Sequence, residues 1–152
     1  MKELTNVLLA VIILAISFNY IYRYANLTRV KSTINNKSYL VRKLPDKQKA
    51  ADILANISID LSNLVEHVYT NHNDREGVEQ LKNNFNSNNI FENTPGGRYT
   101  AYSVNKGEEL AICLRQIYKG YPFNDDNTIM FTTGHELAHV MNKTVGHPPE
   151  FW

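Results

Sequence analysis

Along this chain the spacing of apolar and polar positions changes several times, and each change predicts a different element. Val7 to Ile16 are ten consecutive apolar residues. With Ser17 and Asn19 allowed, the run extends over 21 residues from Leu4 to Tyr24. That approaches the roughly 20 residues a bilayer-spanning helix needs, and Tyr20, Tyr22 and Tyr24 suit an interfacial aromatic belt. A transmembrane helix is therefore expected. The alternatives are a buried core helix and a cleaved signal peptide ending near Ala15-Ile16-Ser17, whose leading positive region would be Lys2 alone. From Asn26 to Leu44 the chain turns polar and basic, as a linker with a short strand at Tyr39-Leu40-Val41.

Pro45-Asp46 then opens a helix. Ala50, Ile53, Leu54, Ile57, Leu61, Leu64, Val65 and Val68 recur at the helical period, which carries one inward face to about Thr70. Asp74 to Phe85 reads as a short second helix with Val78, Leu81 and Phe85 inward, and Asn86 to Gly97 as a loop closed by Pro95-Gly96-Gly97. Tyr99 to Val104 and Glu109 to Leu114 form a predicted hairpin around Asn105-Lys106-Gly107. Gly120 to Asn127 leads into a last helix. Asn124, Asp125 and Asp126 are its cap candidates, and Ile129, Phe131, Leu137, Ala138, Val140 and Met141 its apolar positions.

The predicted class is α+β, with an N-terminal transmembrane helix followed by a small domain holding a β-hairpin and an active-site helix. Residues 1–25 are expected as the transmembrane anchor, 26–44 as a juxtamembrane linker and 45–152 as the domain.

Charge orients this arrangement. Arg23, Arg29, Lys31 and Lys37 follow the apolar run, whereas Lys2, offset by Glu3, precedes it. Basic residues tend to stay inside, so the expected localisation is a single-pass membrane protein with its domain on the cytoplasmic side. Sequons at Asn26, Asn36, Asn56 and Asn142 are read as chance triplets in an Asn-rich chain, and none is expected to carry a glycan. Beyond residue 35 the net charge is −2, with no basic stripe suited to phosphates, so no nucleic-acid partner is expected. Cys113 is the single cysteine, which excludes an internal disulfide and a Cys-rich zinc site.

The chemistry is concentrated in the last helix, where Gly134-His135-Glu136-Leu137-Ala138-His139 holds a His-Glu-x-x-His pattern. Positions i and i+4 share a helix face, so both imidazoles can reach one ion. Glu136, next to the first ligand, is placed to take a proton from water on that ion. Two histidines and a glutamate are costly to bury in apolar surroundings without a partner, and a metal removes that cost. Catalytic zinc takes three protein ligands and leaves one position open. His147 is the candidate third ligand because Gly146 lets the chain turn back just before it. Glu150 is the reserve ligand, or else a hydrogen-bond partner of a ligand imidazole. His67 and His72, near the end of the long helix, are assigned to its dipole and not to ligation. Arg115 is read as structural, and no oxyanion-stabilising residue is identified.

Gly134-His135-Glu136-Leu137-Ala138-His139, followed by Gly146-His147 and Phe151-Trp152, resembles the WLM and SprT-like metallopeptidases. In that group a third His follows the motif and an aromatic pair lies shortly beyond. Glu109 to Arg115 resembles the family's strand before the active-site helix. The likeness covers roughly Tyr99 to Trp152. It implies a small zincin-like domain, one zinc ion, a protein or peptide substrate, and a substrate backbone that pairs along the second strand as the cleft's edge. It also implies a fold that continues past Trp152, so the chain is expected to be truncated at its C-terminus. The resulting expectation is a membrane-anchored zinc metallopeptidase using Glu136 as catalytic base and His135, His139 and His147 as ligands. The alternative is a non-catalytic, zinc-stabilised, membrane-tethered interaction domain, with Glu150 or His72 closing a four-ligand shell.

Overall fold

The computed structural model describes residues 2–94, 101–144, 146–147 and 149–151, and the side chains of 2, 3, 19, 20, 22, 23 and 150 lie outside that description. Within it the chain is a mixed α+β structure: α1 (Lys2–Ala25), β1 (Leu27–Lys31), β2 (Ser38–Arg42), α2 (Lys47–His72), α3 (Val78–Asn84), β3 (Ile90–Glu92), β4 (Tyr102–Val104), β5 (Glu109–Ile112) and α4 (Asp126–Met141). A short 3-10 turn follows at Pro149–Phe151.

The first apolar run is helical, but among the described residues no helix is long and apolar enough to cross a membrane. This corrects both the transmembrane anchor in the expected fold and the single-pass localisation with a cytoplasmic domain. The physical reason is the short uninterrupted run. Val7 to Ile16 supplies ten apolar residues, half of the roughly 20 a bilayer requires, with Thr5-Asn6 before it and Ser17 after it. The C-terminal end of α1 instead docks on the body of the protein. Tyr24 packs on Phe91 at 6.2 Å between ring centroids, and its hydroxyl lies 3.5 Å from both Glu109 carboxylate oxygens.

Residues 26–44, expected as a linker with one short strand, form an antiparallel hairpin in which Leu27 pairs with Arg42 and Lys31 with Ser38. Ser32 N–H closes it by donating to the Lys37 carbonyl. Asp52 on α2 ties the turn down, accepting from Ser32 Oγ at 2.7 Å and from Thr33 N at 2.8 Å. Those two bonds, Ser32's first, hold the Asp52 carboxyl below its ordinary value.

Helix α2 is the core's axis. Ala50, Leu54, Ile57, Leu61 and Val65 are buried as their period requires, whereas Leu64 faces outward. They pack against Tyr39 and Val41 of β2, Leu81 of α3, Ile90 of β3, Leu110 and Ile112 of β5, and Ile129, Leu137 and Val140 of α4. The second helix is shorter than its pattern suggested, because the chain first turns through Asn73 to Gly77 before Val78 and Leu81 go inward.

The second sheet has the order β3-β5-β4. The hairpin of β4 and β5 forms as expected, with Tyr102 opposite Ala111 and Val104 opposite Glu109. Its turn has Asn105 and Lys106 at positive φ (46° and 58°) between Val104 and Gly107, the requirement of a type I′ turn. β3 falls inside the stretch read as loop, and it pairs in parallel with β5. Pro95-Gly96-Gly97, the predicted close of that loop, lies outside the described residues. Because β3 takes one side of β5, β5 is the central strand. The expectation that β5 forms the cleft's edge gives way to β4, which lies beside α4.

Candidate metal centre

The site is built on α4, and a buried charge hub sets where that helix starts. Arg115, at the end of β5's extension, is 3% exposed. Its Nε donates to Glu92 Oε1 at 2.7 Å, and its two terminal nitrogens grip Asp46 Oδ2 and Oδ1, each at 2.8 Å. Nη1 also reaches the Tyr121 carbonyl, and the guanidinium lies 4.0 Å from the Phe123 ring centroid. Glu92 uses its other oxygen to accept from Arg42 N–H at 2.7 Å. Burial alone would weaken Arg115's hold on its proton, but the hydrogen bonds to Asp46 and Glu92 raise its pKa instead, and the same bond lowers that of Asp46. The structural reading of Arg115 holds, and the hub pins the loop that feeds α4. Asn124 N–H donates to the Leu114 carbonyl, and Asp125 then caps the helix by accepting from Thr128 N at 3.0 Å.

Ile129, Thr133, Glu136, Leu137 and Val140 form the buried stripe of α4. The stripe's phase puts His135 and His139 on its flank, half-buried, and carries Glu136 inward to 9% exposure. Phe131, expected on an apolar face, projects into solvent. At the C-terminal end Asn142 N–H bonds the Ala138 carbonyl, and Asn142 Oδ1 accepts from Thr144 N and Oγ1. Lys106, from the type I′ turn, donates at 2.7 Å to the carbonyls of both Asn142 and Thr144. Gly146 follows at φ +90°, the reversal the sequence called for. His147 thereby returns to the helix.

His135, His139 and His147 come together. Each offers a ligand atom, and these atoms all lie within 4.8 Å of one another. His147 Nε2 is 2.9 Å from His135 Nε2. The three ring centroids are 4.8–4.9 Å apart in every pair. Nitrogens sharing a tetrahedral zinc stand about 3.3 Å apart, given bonds of about 2.0–2.1 Å. Small side-chain rotations therefore bring this set to a metal, and the chemistry of the three donors fits one. Among the described residues this is the one group of three or more His, Cys, Asp or Glu side chains so placed. His72 stays at the end of α2 beside His67, at 6.4 Å between rings. Glu150's side chain, the reserve ligand, lies outside the described residues.

The surroundings of His139 suit ligation. Burial pushes His139's pKa down, and His135, His147 and Lys106 push it further, so the ring stays neutral and able to ligate. Burial pushes the Glu136 carboxyl up, opposed by a hydrogen bond from the Ser103 backbone of β4 and by His147. Ser103 and Lys106 are contributions that sequence reasoning missed, because backbone donors and turn residues carry no motif. The groove between α2 and the first turn of α4, lined by Ile53, Ile57, Asp60, Asp126, Ile129 and Met130, shares no residue with the histidine set.

Comparison with known proteins adds two viral relatives. The chain is similar to "Uncharacterized protein R325" of Acanthamoeba polyphaga mimivirus, 41% identical over 126 residues that cover 80% of this chain and 64% of that protein. It is also similar to "Uncharacterized protein 042R" of Invertebrate iridescent virus 3, 37% identical over 51 residues, 34% of this chain and 31% of that one. The chain thus spans less than two-thirds of the length of the curated relatives it matches. No family model matches the chain, and no solved structure does.

Proposed function

We propose that this protein is a zinc-dependent metallopeptidase, of the kind the WLM and SprT-like resemblance implies, acting on a protein or peptide. The observation that carries the reading is one carboxylate in one place. Glu136 is buried beside three converging imidazoles, with its pKa raised by desolvation. A general base works best with a pKa near the operating pH, and burial moves a carboxyl that way. A bound zinc ion would supply a Lewis acid for the carbonyl and acidify a water molecule. His135, His139 and His147 would hold the ion. Glu136 takes the water's proton on a carboxylate oxygen and later hands it to the leaving amine. The Ser103 backbone hydrogen bond favours the ionised carboxylate that takes this proton. β4, the edge strand beside α4, gives an extended substrate a backbone to pair with.

The test is Glu136→Gln in the full chain, assayed for zinc content and for cleavage of a fluorescent casein. The variant should keep stoichiometric zinc and lose cleavage by at least about a hundredfold, the usual scale of general-base catalysis. Loss of zinc together with activity would make Glu136 a ligand and contradict this assignment.

A further inference from the structure

Lys106 sits at φ +58° in the turn between β4 and β5, next to Asn105 at +46°. A side chain is disfavoured at that second central position, where a type I′ turn prefers glycine. The turn alone therefore gives no reason for a lysine. Across the fold, Lys106 Nζ donates at 2.7 Å to the Asn142 carbonyl and at 2.7 Å to the Thr144 carbonyl. Asn142 is the C-cap of α4, and Thr144 lies two residues further along the segment that leads to His147. Gly107 presses the same turn against the helix end, since a Cβ there would stand 2.7 Å from Val140 Cγ1. Gln80 also reaches the Asn142 carbonyl, at 3.3 Å, but its shorter bond goes back to Val140 within α4. Lys143 pairs with Glu76 at the surface, where both side chains are exposed and such a pair holds little.

We infer that Lys106 is a positioning residue for the third metal ligand, gripping the segment after α4 so that His147 is delivered to His135 and His139. This deepens the metallopeptidase reading and rests on it. His135 and His139 need no such support, because one helix fixes their spacing. His147 comes from outside the helix, and a freely ranging segment would lose conformational entropy on reaching the ion. An ammonium shared between two carbonyls makes charge-assisted hydrogen bonds, and it lies at the negative end of the α4 dipole. The segment is thereby restrained before any ion arrives, which lowers the ordering cost of binding. The hairpin that carries Lys106 also carries β4, so the strand proposed to pair with substrate and the grip on the third ligand belong to one element.

Zinc affinity of the full chain, measured by competition with a chromophoric chelator, tests this. Lys106→Gly removes the amino group while supplying the residue that the turn prefers, so the metal-free variant should still melt cooperatively. It should bind zinc about 10–100-fold more weakly than wild type, the usual scale for a residue that orients a ligand. Lys106→Met, which keeps the stem without the donor, should show the same loss, and it carries the test if the glycine variant does not melt cooperatively. A purely structural role is separated by repeating the substitution in His147→Ala. There the residual affinity, read with a weaker chelator, should not change, because no third ligand remains to be delivered. Wild-type zinc affinity in the Lys106 variant, or an equal fold-loss in both backgrounds, would overturn the inference while leaving the metal site standing. Failure of the wild type to bind zinc would instead overturn the metallopeptidase reading and this inference with it.

Discussion

Glu92 and Glu136 are both buried, and their surroundings are opposite. Glu92 is 0% exposed, with one oxygen on the Arg115 guanidinium and the other on the Arg42 amide. Glu136, 9% exposed, has the Ser103 amide and three imidazoles nearby, and its carboxyl is raised by desolvation. One cluster balances its charges from within the fold. The other places lone pairs and a carboxylate together and leaves positive charge to be brought in. The first kind of cluster builds, because a buried charge with a complete set of partners holds elements in register. The second kind is suited to binding, because a cation would relieve the cost of a buried carboxylate.

Breaking the satisfied cluster should have the largest effect. Arg115→Ala strands Glu92 in the interior, and the loss should be about 3–5 kcal/mol in denaturant unfolding. Adding Glu92→Leu to Arg115→Met should recover most of that loss, since an apolar pair leaves no charge buried. A loss below about 1 kcal/mol for Arg115→Ala would show that water reaches Glu92.

A smaller effect is expected where α3 seats the end of α4. Gly77 is at φ +82°, and a Cβ there would stand 2.3 Å from the Met141 carbonyl oxygen. Gly77→Ala should cost about 2 kcal/mol, from the left-handed backbone and the close contact together. It should also weaken zinc binding, because Gln80 on α3 holds the Val140 carbonyl at 2.8 Å just before the loop to His147. Thermal melts and zinc titration of this variant check both parts, and unchanged zinc affinity would separate α3 from the site.

The comparison predicts an opposite sign at Glu136. Its folded pKa is raised above the ordinary 4.5, so the stability it contributes is present below that value and is lost as pH rises through the folded pKa. In metal-free protein, Glu136→Gln should therefore raise the melting temperature at neutral pH, and the gain should vanish below pH 4.5. A variant less stable than wild type at neutral pH would mean that Glu136 is as well partnered as Glu92.

The same contrast explains what the sequence made legible. The inward face of α2 appeared in the period of Ala50, Leu54, Ile57, Leu61 and Val65, and the hairpin in Asn105-Lys106-Gly107. The convergence on His147 was readable because i, i+4 histidines and a reversing glycine are local signals. The hub was not, because Glu92 and Arg115 are 23 residues apart and Asp46 and Arg115 are 69 apart. β3 was hidden for a related reason. Three residues in an Asn-rich stretch carry no period, and a parallel strand is defined by a distant partner. β1 was masked by Arg29 and Lys31, which sit outward on a strand whose Leu27 is buried. The membrane assignment failed on apolar continuity, since tolerance for Ser17 and Asn19 turned ten apolar residues into 21, and among the described residues no helix is long and apolar enough to cross a membrane.

The central claim is that three histidines share one ion, and metal content tests it most directly. Zinc in the purified full chain should be measured by elemental analysis for wild type, His135→Ala and His147→Ala, with folding checked by thermal melts. One zinc per chain in the wild type is predicted, with most of it lost from each variant. A wild type without bound metal, or a His147→Ala variant that keeps its full complement, would contradict the account.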